Sequence, residues 1–199
     1  VPVIFLSDQD MSVRMQTIPP FDLSRVRLEP RLLWDPTSGE KFQRYKDTPS
    51  GVSPMSLPGM KGGQYVAEGL EHNAEGEPNY DLQWRTTNME KRARKVRLVR
   101  QEVEPLKLYE QFGADDADIG IIGWGSTIGP VKEAVERAAA EGIKVAVFYP
   151  KLLHPLPRAL LEEFIAKRKA IIVPELNYVG QLARMIQAEF WREVISLRK

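Results

Sequence analysis

Ile119-Gly120-Ile121-Ile122-Gly123-Trp124-Gly125-Ser126-Thr127-Ile128-Gly129-Pro130 is the stretch on which the reading of this chain turns. An apolar run ends in a glycine-rich turn, and a proline beyond it suits the first turn of a helix. The alternation then repeats. Ile119–Trp124 predicts a strand and Pro130–Glu141 a helix closed by Gly142. Lys144–Tyr149 predicts a second strand, Arg158–Lys167 a helix, Ala170–Val173 a third strand and Val179–Phe190 a further helix. Apolar strands separated by helices of about ten residues are the mark of βαβ units and a buried parallel sheet. The expected fold class is α/β, a three-layer αβα arrangement around a mostly parallel sheet, with right-handed crossovers placing the helices on its faces.

Upstream, Met89, Ala93, Val96, Val99, Val103 and Leu106 recur every three or four residues from about Asn88, which predicts a helix with one apolar stripe. Lys91, Arg92, Arg94, Lys95, Arg97 and Arg100 fall on its other faces. A basic face suits either a nucleic-acid partner or a solvated surface whose aliphatic stems cover the core edge. The solvated surface is favoured, because no aromatic or glycine-rich RNA-binding signature accompanies it. Nine of the 15 prolines lie within the first 78 residues, so that region is not mostly helix. Loops with short strands at Lys41–Lys46 and Gln64–Glu68 are expected there, around a turn-rich loop from Pro49 to Gly59. The chain opens on the apolar run Val1-Pro2-Val3-Ile4-Phe5-Leu6, and Trp191–Leu197 reads as the start of another strand. Both ends suggest a piece of a longer polypeptide.

Composition narrows the chemistry. The 199 residues are 43% apolar and 28% charged, enough for a sizeable core. Twenty-eight basic against 27 acidic residues leave a net charge of +1, so no overall field selects a nucleic acid or membrane. The chain has no cysteine, which excludes disulfides, cysteine zinc sites, cysteine nucleophiles and an iron–sulfur cluster held by its own thiolates. No run approaches the roughly 18 apolar residues of a membrane span. A reducing, cytoplasmic location is expected. His72 and His154 are the only histidines, and no metal site is expected.

Gly123 to Gly129 joins the first strand of the α/β segment to its helix, where backbone N–H groups and the helix dipole can hold an anion. Gly123, Gly125, Ser126 and Thr127 are the candidate donors. The dinucleotide fingerprint, however, needs glycine where Ile128 stands and an acid at the end of the second strand, which here ends Phe148-Tyr149-Pro150. A tight βα turn is the favoured reading, and an autonomous nucleotide- or anion-binding module the alternative. Glu175-Leu176-Asn177 follows the third strand at its carboxyl end, where ligands and partners gather in open α/β sheets. Asn177 is expected to cap the last helix, Glu175 to anchor a loop or interface, and His154 to sit in a structural turn. There is no Ser-His-Asp order, no pair of acids on a helix and no P-loop, and hence no catalytic constellation.

Read together, eight segments resemble one family. They are Pro2-Val3-Ile4-Phe5-Leu6-Ser7-Asp8-Gln9, Pro20-Phe21-Asp22, Arg44-Tyr45-Lys46-Asp47-Thr48, Gly51-Val52-Ser53-Pro54, Leu57-Pro58-Gly59, Gly69-Leu70-Glu71-His72, Met89-Glu90-Lys91-Arg92 and Pro174-Glu175-Leu176-Asn177. The chain resembles, over essentially its whole length, the C-terminal half of the alpha subunit of 2-oxoacid:ferredoxin oxidoreductases, nearest to the 2-oxoglutarate synthase type. The resemblance implies oxidative decarboxylation of a 2-oxoacid onto coenzyme A, with thiamine diphosphate as electron sink and a [4Fe–4S] cluster passing electrons to ferredoxin. It implies a beta subunit that holds the diphosphate, magnesium and cluster, and an oligomeric assembly without nucleic acid or membrane.

By the same resemblance, residues 1–10 are the tail of a pyrimidine-binding domain and residues 11–87 a connecting segment. Residues 88–199 correspond to most of a transketolase C-terminal-like domain. The family's substrate motif is absent from these 199 residues, so no catalytic residue is expected in this fragment, which should be inert alone. The loop carrying Arg44, Lys46, Asp47, Gly51 and Ser53 is the candidate for proximity to substrate. Relatives often carry arginine where Met55 stands, so a charge role at that position is lost.

Overall fold

In the computed structural model, which describes residues 2–198, the chain runs through α1 (Gln9–Val13), α2 (Leu82–Val103), β1 (Tyr109–Gly113), β2 (Ile119–Ile122), α3 (Ile128–Ala140), β3 (Val145–Pro150), α4 (Arg158–Ala166), β4 (Ala170–Glu175), α5 (Gln181–Phe190) and β5 (Ile195–Arg198). It divides into two units: Thr17–Val99, and Pro2–Gln16 together with the residues from Arg100 onward.

The second unit contains the sheet, with strand order β1-β3-β2-β4-β5. β2 pairs in parallel with β3 and with β4, and β4 in parallel with β5; β1 joins β3 antiparallel. From β2 the chain steps to β3 on one side, then crosses back to β4 and on to β5 on the other. Right-handed crossovers therefore require α3 on one face and α4 and α5 on the opposite one. The packing agrees. Val131 of α3 meets Val145, Val147 and Tyr149 on one face of β3. Phe148 shares the other face with Leu161, Phe164 and Ile165 of α4 and with Leu182, Ala183 and Ile186 of α5. Every residue of β3 is buried, as a central parallel strand should be. The α/β, three-layer expectation holds.

Local chemistry sets the boundaries. A 3-10 turn at Gly125–Thr127 leads into α3, so Pro130 stands within the helix's first turn. At the far end Gly142, at φ +76, lets Ile143 N–H reach Ala138 O at 2.8 Å and Gly142 N–H reach Ala139 O at 3.0 Å; this double closure needs a left-handed residue. β1 was not anticipated. Its half-buried Tyr-Glu-Gln-Phe-Gly sequence carries no apolar run, and it is a strand because β3 offers an unpaired edge.

The first unit departs further from expectation. Neither Lys41–Lys46 nor Gln64–Glu68 forms a strand; Leu33–Met55 and His72–Pro78 are isolated bridges. Turns intervene before a ladder can propagate, and backbone groups pair singly, as Tyr45 N–H does with Ala74 O at 2.9 Å. Aromatic rings fill the interior: Phe42 is buried, with Trp34 at 5.2 Å and Tyr65 at 5.9 Å between ring centroids. Helix α2 starts at Leu82 rather than near Asn88, and its apolar stripe is only partly covered, at Val96, Val99 and Val103. Met89 and Ala93 are exposed, whereas Asn88 and Lys91 are buried. Nor do Pro2–Leu6 form a strand; Val3, Ile4 and Phe5 are exposed, since an apolar run needs a ladder partner to become one. Val1, where that run begins, lies outside the described residues. No helix among the described residues is long and apolar enough to cross a membrane.

Candidate functional site

The loop singled out in the sequence, residues 44–53, is held against α2 by side chains one helical turn apart. Lys91 Nζ donates to the carbonyl of Tyr45 at 2.6 Å and to the hydroxyl of Ser53, which itself donates to Lys46 O at 2.9 Å. Arg94 pairs with the Asp47 carboxylate and donates to Thr48 O at 2.9 Å. Gly51 is where the loop comes closest to the helix. A Cβ there would stand 2.9 Å from the Lys91 carbonyl oxygen and 2.7 Å from Lys95 Cγ, and its φ of +70 disfavours any other residue.

Four of the five predicted residues have partners within the chain. Asp47 is paired with Arg94, Ser53 is bonded to Lys91, Gly51 is a packing contact, and Lys46 is ion-paired with Glu40 at 2.7 Å. Arg44 is different. Its guanidinium lies 5.3 Å from the Tyr45 ring centroid and 5.8 Å from that of Tyr65. Among the described residues no carboxylate is paired with it. A guanidinium beside aromatic rings keeps the planar donor fork that a carboxylate fits.

Lys91 is the residue sequence reasoning missed. Treated there as one charge of a solvated face, it is only 6% exposed. Burial pushes its amine down to about 8, and the positive charge of Lys95 acts in the same direction; Asp47 opposes, and Arg44 and Arg94 add to the lowering. The available signal was spacing. Asn88, Lys91 and Lys95 share a helical face beside the apolar stripe, and Asn88 is buried too, donating to Glu71 at 2.9 Å and to His72 O at 2.8 Å.

The other candidate, at the carboxyl edge of the sheet, proves to be self-contained. A Cβ at Gly123 would run into the Tyr149 hydroxyl, so this glycine lets the turn close over the end of β3. Thr127 donates to Trp124 O at 2.7 Å and lies 3.0 Å from the Tyr149 hydroxyl. Ser126 gives both its N–H, at 3.2 Å, and its hydroxyl to Asp8 Oδ2, while Asp8 Oδ1 accepts from Met11 N–H at 3.0 Å. The Ser126 hydroxyl, followed by Met11 N–H, holds the Asp8 carboxyl below its usual range. The Ser126 and Thr127 donors are thus engaged by the protein's own groups, in keeping with a tight βα turn.

Glu175 is an anchor, as expected: its carboxylate accepts from Leu182 N–H at 2.8 Å and Ala183 N–H at 3.0 Å, and also from Asn177 and Trp124. Asn177 accepts from Gln181 N–H at 3.1 Å and so helps cap α5. His154 is exposed in its turn. Among the described residues no group of three or more histidines, cysteines or acids is placed to hold a metal ion.

With this geometry established, the known proteins similar to the chain can be named. The family model of the pyruvate:ferredoxin oxidoreductase core domain II matches residues 117–197. The alpha subunit of 2-oxoacid:ferredoxin oxidoreductase 2 from Aeropyrum pernix is 30% identical over 189 residues, 94% of this chain and 29% of that protein. The 2-oxoglutarate oxidoreductase subunit KorA of Mycobacterium tuberculosis is 34% identical over 165 residues, 81% of this chain and 24% of that one. Among solved structures, 2-oxoglutarate:ferredoxin oxidoreductase from Magnetococcus marinus, with 2-oxoglutarate, coenzyme A and succinyl-CoA bound, superposes with a TM-score of 0.77 at 39% identity. That match covers 91% of this chain and 31% of the other. The chain therefore spans less than a third of the length of these relatives. By sequence over nearly all of its residues, and by fold, the chain is similar to the alpha subunits of the 2-oxoacid:ferredoxin oxidoreductases.

Proposed function

We propose that the chain is a piece of the alpha subunit of a thiamine diphosphate-dependent 2-oxoacid:ferredoxin oxidoreductase acting on 2-oxoglutarate. The overall reaction joins a 2-oxoacid to coenzyme A, releases carbon dioxide and passes two electrons, one at a time, to ferredoxin. The observation that carries this reading is the similarity across 94% of the chain to such an alpha subunit. Agreement at a TM-score of 0.77 with a 2-oxoglutarate:ferredoxin oxidoreductase that has 2-oxoglutarate bound supports the substrate class.

The residues present here do not fit the redox groups. No cysteine is available to hold a cluster, and no acidic or histidine grouping for magnesium occurs among the described residues. The family resemblance assigns thiamine diphosphate, magnesium and the [4Fe–4S] cluster to the beta subunit, and we place the complex in the cytoplasm. The contribution of this chain is assembly and the shaping of the site, and alone it is inert. Within it we assign residues 1–10 to the tail of a pyrimidine-binding domain, 11–87 to a connector and 88–199 to a transketolase C-terminal-like domain. Arg44 is the residue that receives a carboxylate of the 2-oxoacid. Lys46, the other cation of the loop, is paired with Glu40.

The test uses the complete alpha chain assembled with its beta subunit. Reduction of ferredoxin that depends on both 2-oxoglutarate and coenzyme A is expected. Arg44→Gln should raise the KM for 2-oxoglutarate about tenfold, the value of a lost charge-assisted hydrogen bond, and leave that for coenzyme A unchanged. Absence of 2-oxoacid-dependent turnover would overturn the assignment. Micromolar binding of NAD or ATP to the 199-residue chain, seen by calorimetry, would instead favour the nucleotide-binding module at Gly123–Gly129.

A further inference from the structure

We infer that Lys91 is a positioning residue for the 44–53 loop, setting the geometry in which Arg44 is presented. The inference rests on the reading that this loop meets the substrate, and it adds a residue that does not touch substrate. Three observations carry it. First, Lys91 joins both ends of the loop: Nζ reaches the Tyr45 carbonyl, immediately after Arg44, at 2.6 Å, and also the Ser53 hydroxyl. Through Ser53 it reaches a third point, the carbonyl of Lys46. Second, the lysine is buried with neutral partners, not a carboxylate, on its amine. A charge removed from water onto neutral acceptors is costly, and it persists only where the surroundings fix it tightly. Third, neighbours along α2 reinforce the same register. Arg94 takes Asp47 and Thr48 O, and Gly51 fits against the Lys91 carbonyl with no room for a Cβ.

Tyr45 is the hinge of this arrangement. Its carbonyl is held by Lys91, its N–H by Ala74 O at 2.9 Å, and its ring lies 3.9 Å from that of His72. The same ring lies beneath the Arg44 guanidinium. If Lys91 is removed, the Tyr45 carbonyl loses its donor, and the aromatic platform under Arg44 is free to shift. Displacements of about 1 Å at a positioning contact are enough to cost up to a hundredfold in rate or affinity.

The experiment compares Lys91→Met with Arg44→Gln in the assembled enzyme, reading steady-state kinetics together with hydrogen exchange of the loop amides. Lys91→Met preserves the length and aliphatic stem while deleting the amine. The expected result is a KM for 2-oxoglutarate raised about tenfold, a KM for coenzyme A within twofold of the parent, and faster exchange at residues 46–53. Unchanged exchange in that loop would overturn the clamp. Faster exchange with an unchanged KM, when Arg44→Gln does raise KM, would overturn the positioning role while leaving the substrate-loop reading standing. If Arg44→Gln also leaves KM unchanged, the substrate-loop reading fails and the positioning role with it. Should Lys91→Met not assemble, Ser53→Ala removes one arm of the clamp and is expected to shift the same two readouts in the same direction by a smaller factor. No shift in either would overturn the proposal.

Discussion

The two units of this chain fill their interiors differently. In the sheet-bearing unit the largest fully buried side chains are Phe148, Ile122, Leu161, Ile171, Leu182, Ile186, Val147 and Val173, all apolar, and the buried charges Arg168 and Glu175 are held by backbone groups. In the loop-rich unit the interior includes His72, Asn88 and Lys91, and long-range side-chain bonds replace a ladder. An apolar core is non-directional and tolerates small shifts, whereas a hydrogen-bonded polar interior fixes positions but loses the full desolvation cost of each group left unpaired. The difference teaches where to look for a site. A loop that must present a charged side chain in one geometry is better served by directional bonds to a rigid helix than by packing alone.

Four measurements bear on that contrast. The largest effect is expected in the sheet. Phe148 is fully buried, with Tyr109 stacked at 5.0 Å and Phe164 at 5.6 Å between ring centroids, so Phe148→Ala should cost about 3–5 kcal/mol in denaturant unfolding. A loss below about 1 kcal/mol would show that the core does not rest on this ring. Next, Asn88→Ala removes the donors to Glu71 and to the His72 carbonyl. It should cost about 1–3 kcal/mol, with exchange quickening around residues 71–78 first and the sheet amides unaffected; uniform loss across both units would break the comparison.

The third measurement is a pH dependence that only the polar interior should show. The Lys91 amine lies at about 8 in the folded protein against an ordinary 10.5. Between those values the unfolded chain binds the extra proton, so stability rises as pH climbs through that window. Below pH 8 both states are protonated and this contribution is constant. Unfolding midpoints followed from pH 7 to 10.5 should therefore carry a rising component that Lys91→Met lacks, and identical slopes in the two proteins would contradict it. The smallest effect belongs to Asp8, which bridges Met11 and Ser126 near the surface. Asp8→Asn should cost no more than about 1 kcal/mol, with faster exchange confined to the amides of Met11 and Ser126.

How far the sequence could be read follows the same division. The α/β segment was legible because a parallel strand buried on both faces needs a run such as Val145–Tyr149, and the helices between such runs need ends such as Gly142. β1 escaped because an edge strand requires only a partner, and Tyr109–Gly113 carries no pattern until β3 is beside it. The roles of Glu175 and Asn177 as anchor and cap were readable from their place at a strand's end, since capping is local. In the loop-rich unit periodicity found α2 but missed its buried residues. Met89 and Ala93 are exposed, while Asn88 and Lys91 turn inward toward acceptors 16 to 46 residues away in sequence.

The candidate site shows this most sharply. The sequence named the loop and its five residues; which of them remains uncommitted was decided by partners brought from elsewhere. Asp47 meets Arg94, Ser53 meets Lys91, Lys46 meets Glu40, and Arg44 is left over two tyrosine rings. Local patterning thus specified the fold class and the helix ends of the α/β segment. The assignment of each charge to a partner or to solvent came from tertiary structure, because electrostatic pairing depends on distance in space and on burial, and neither is written in the spacing along the chain.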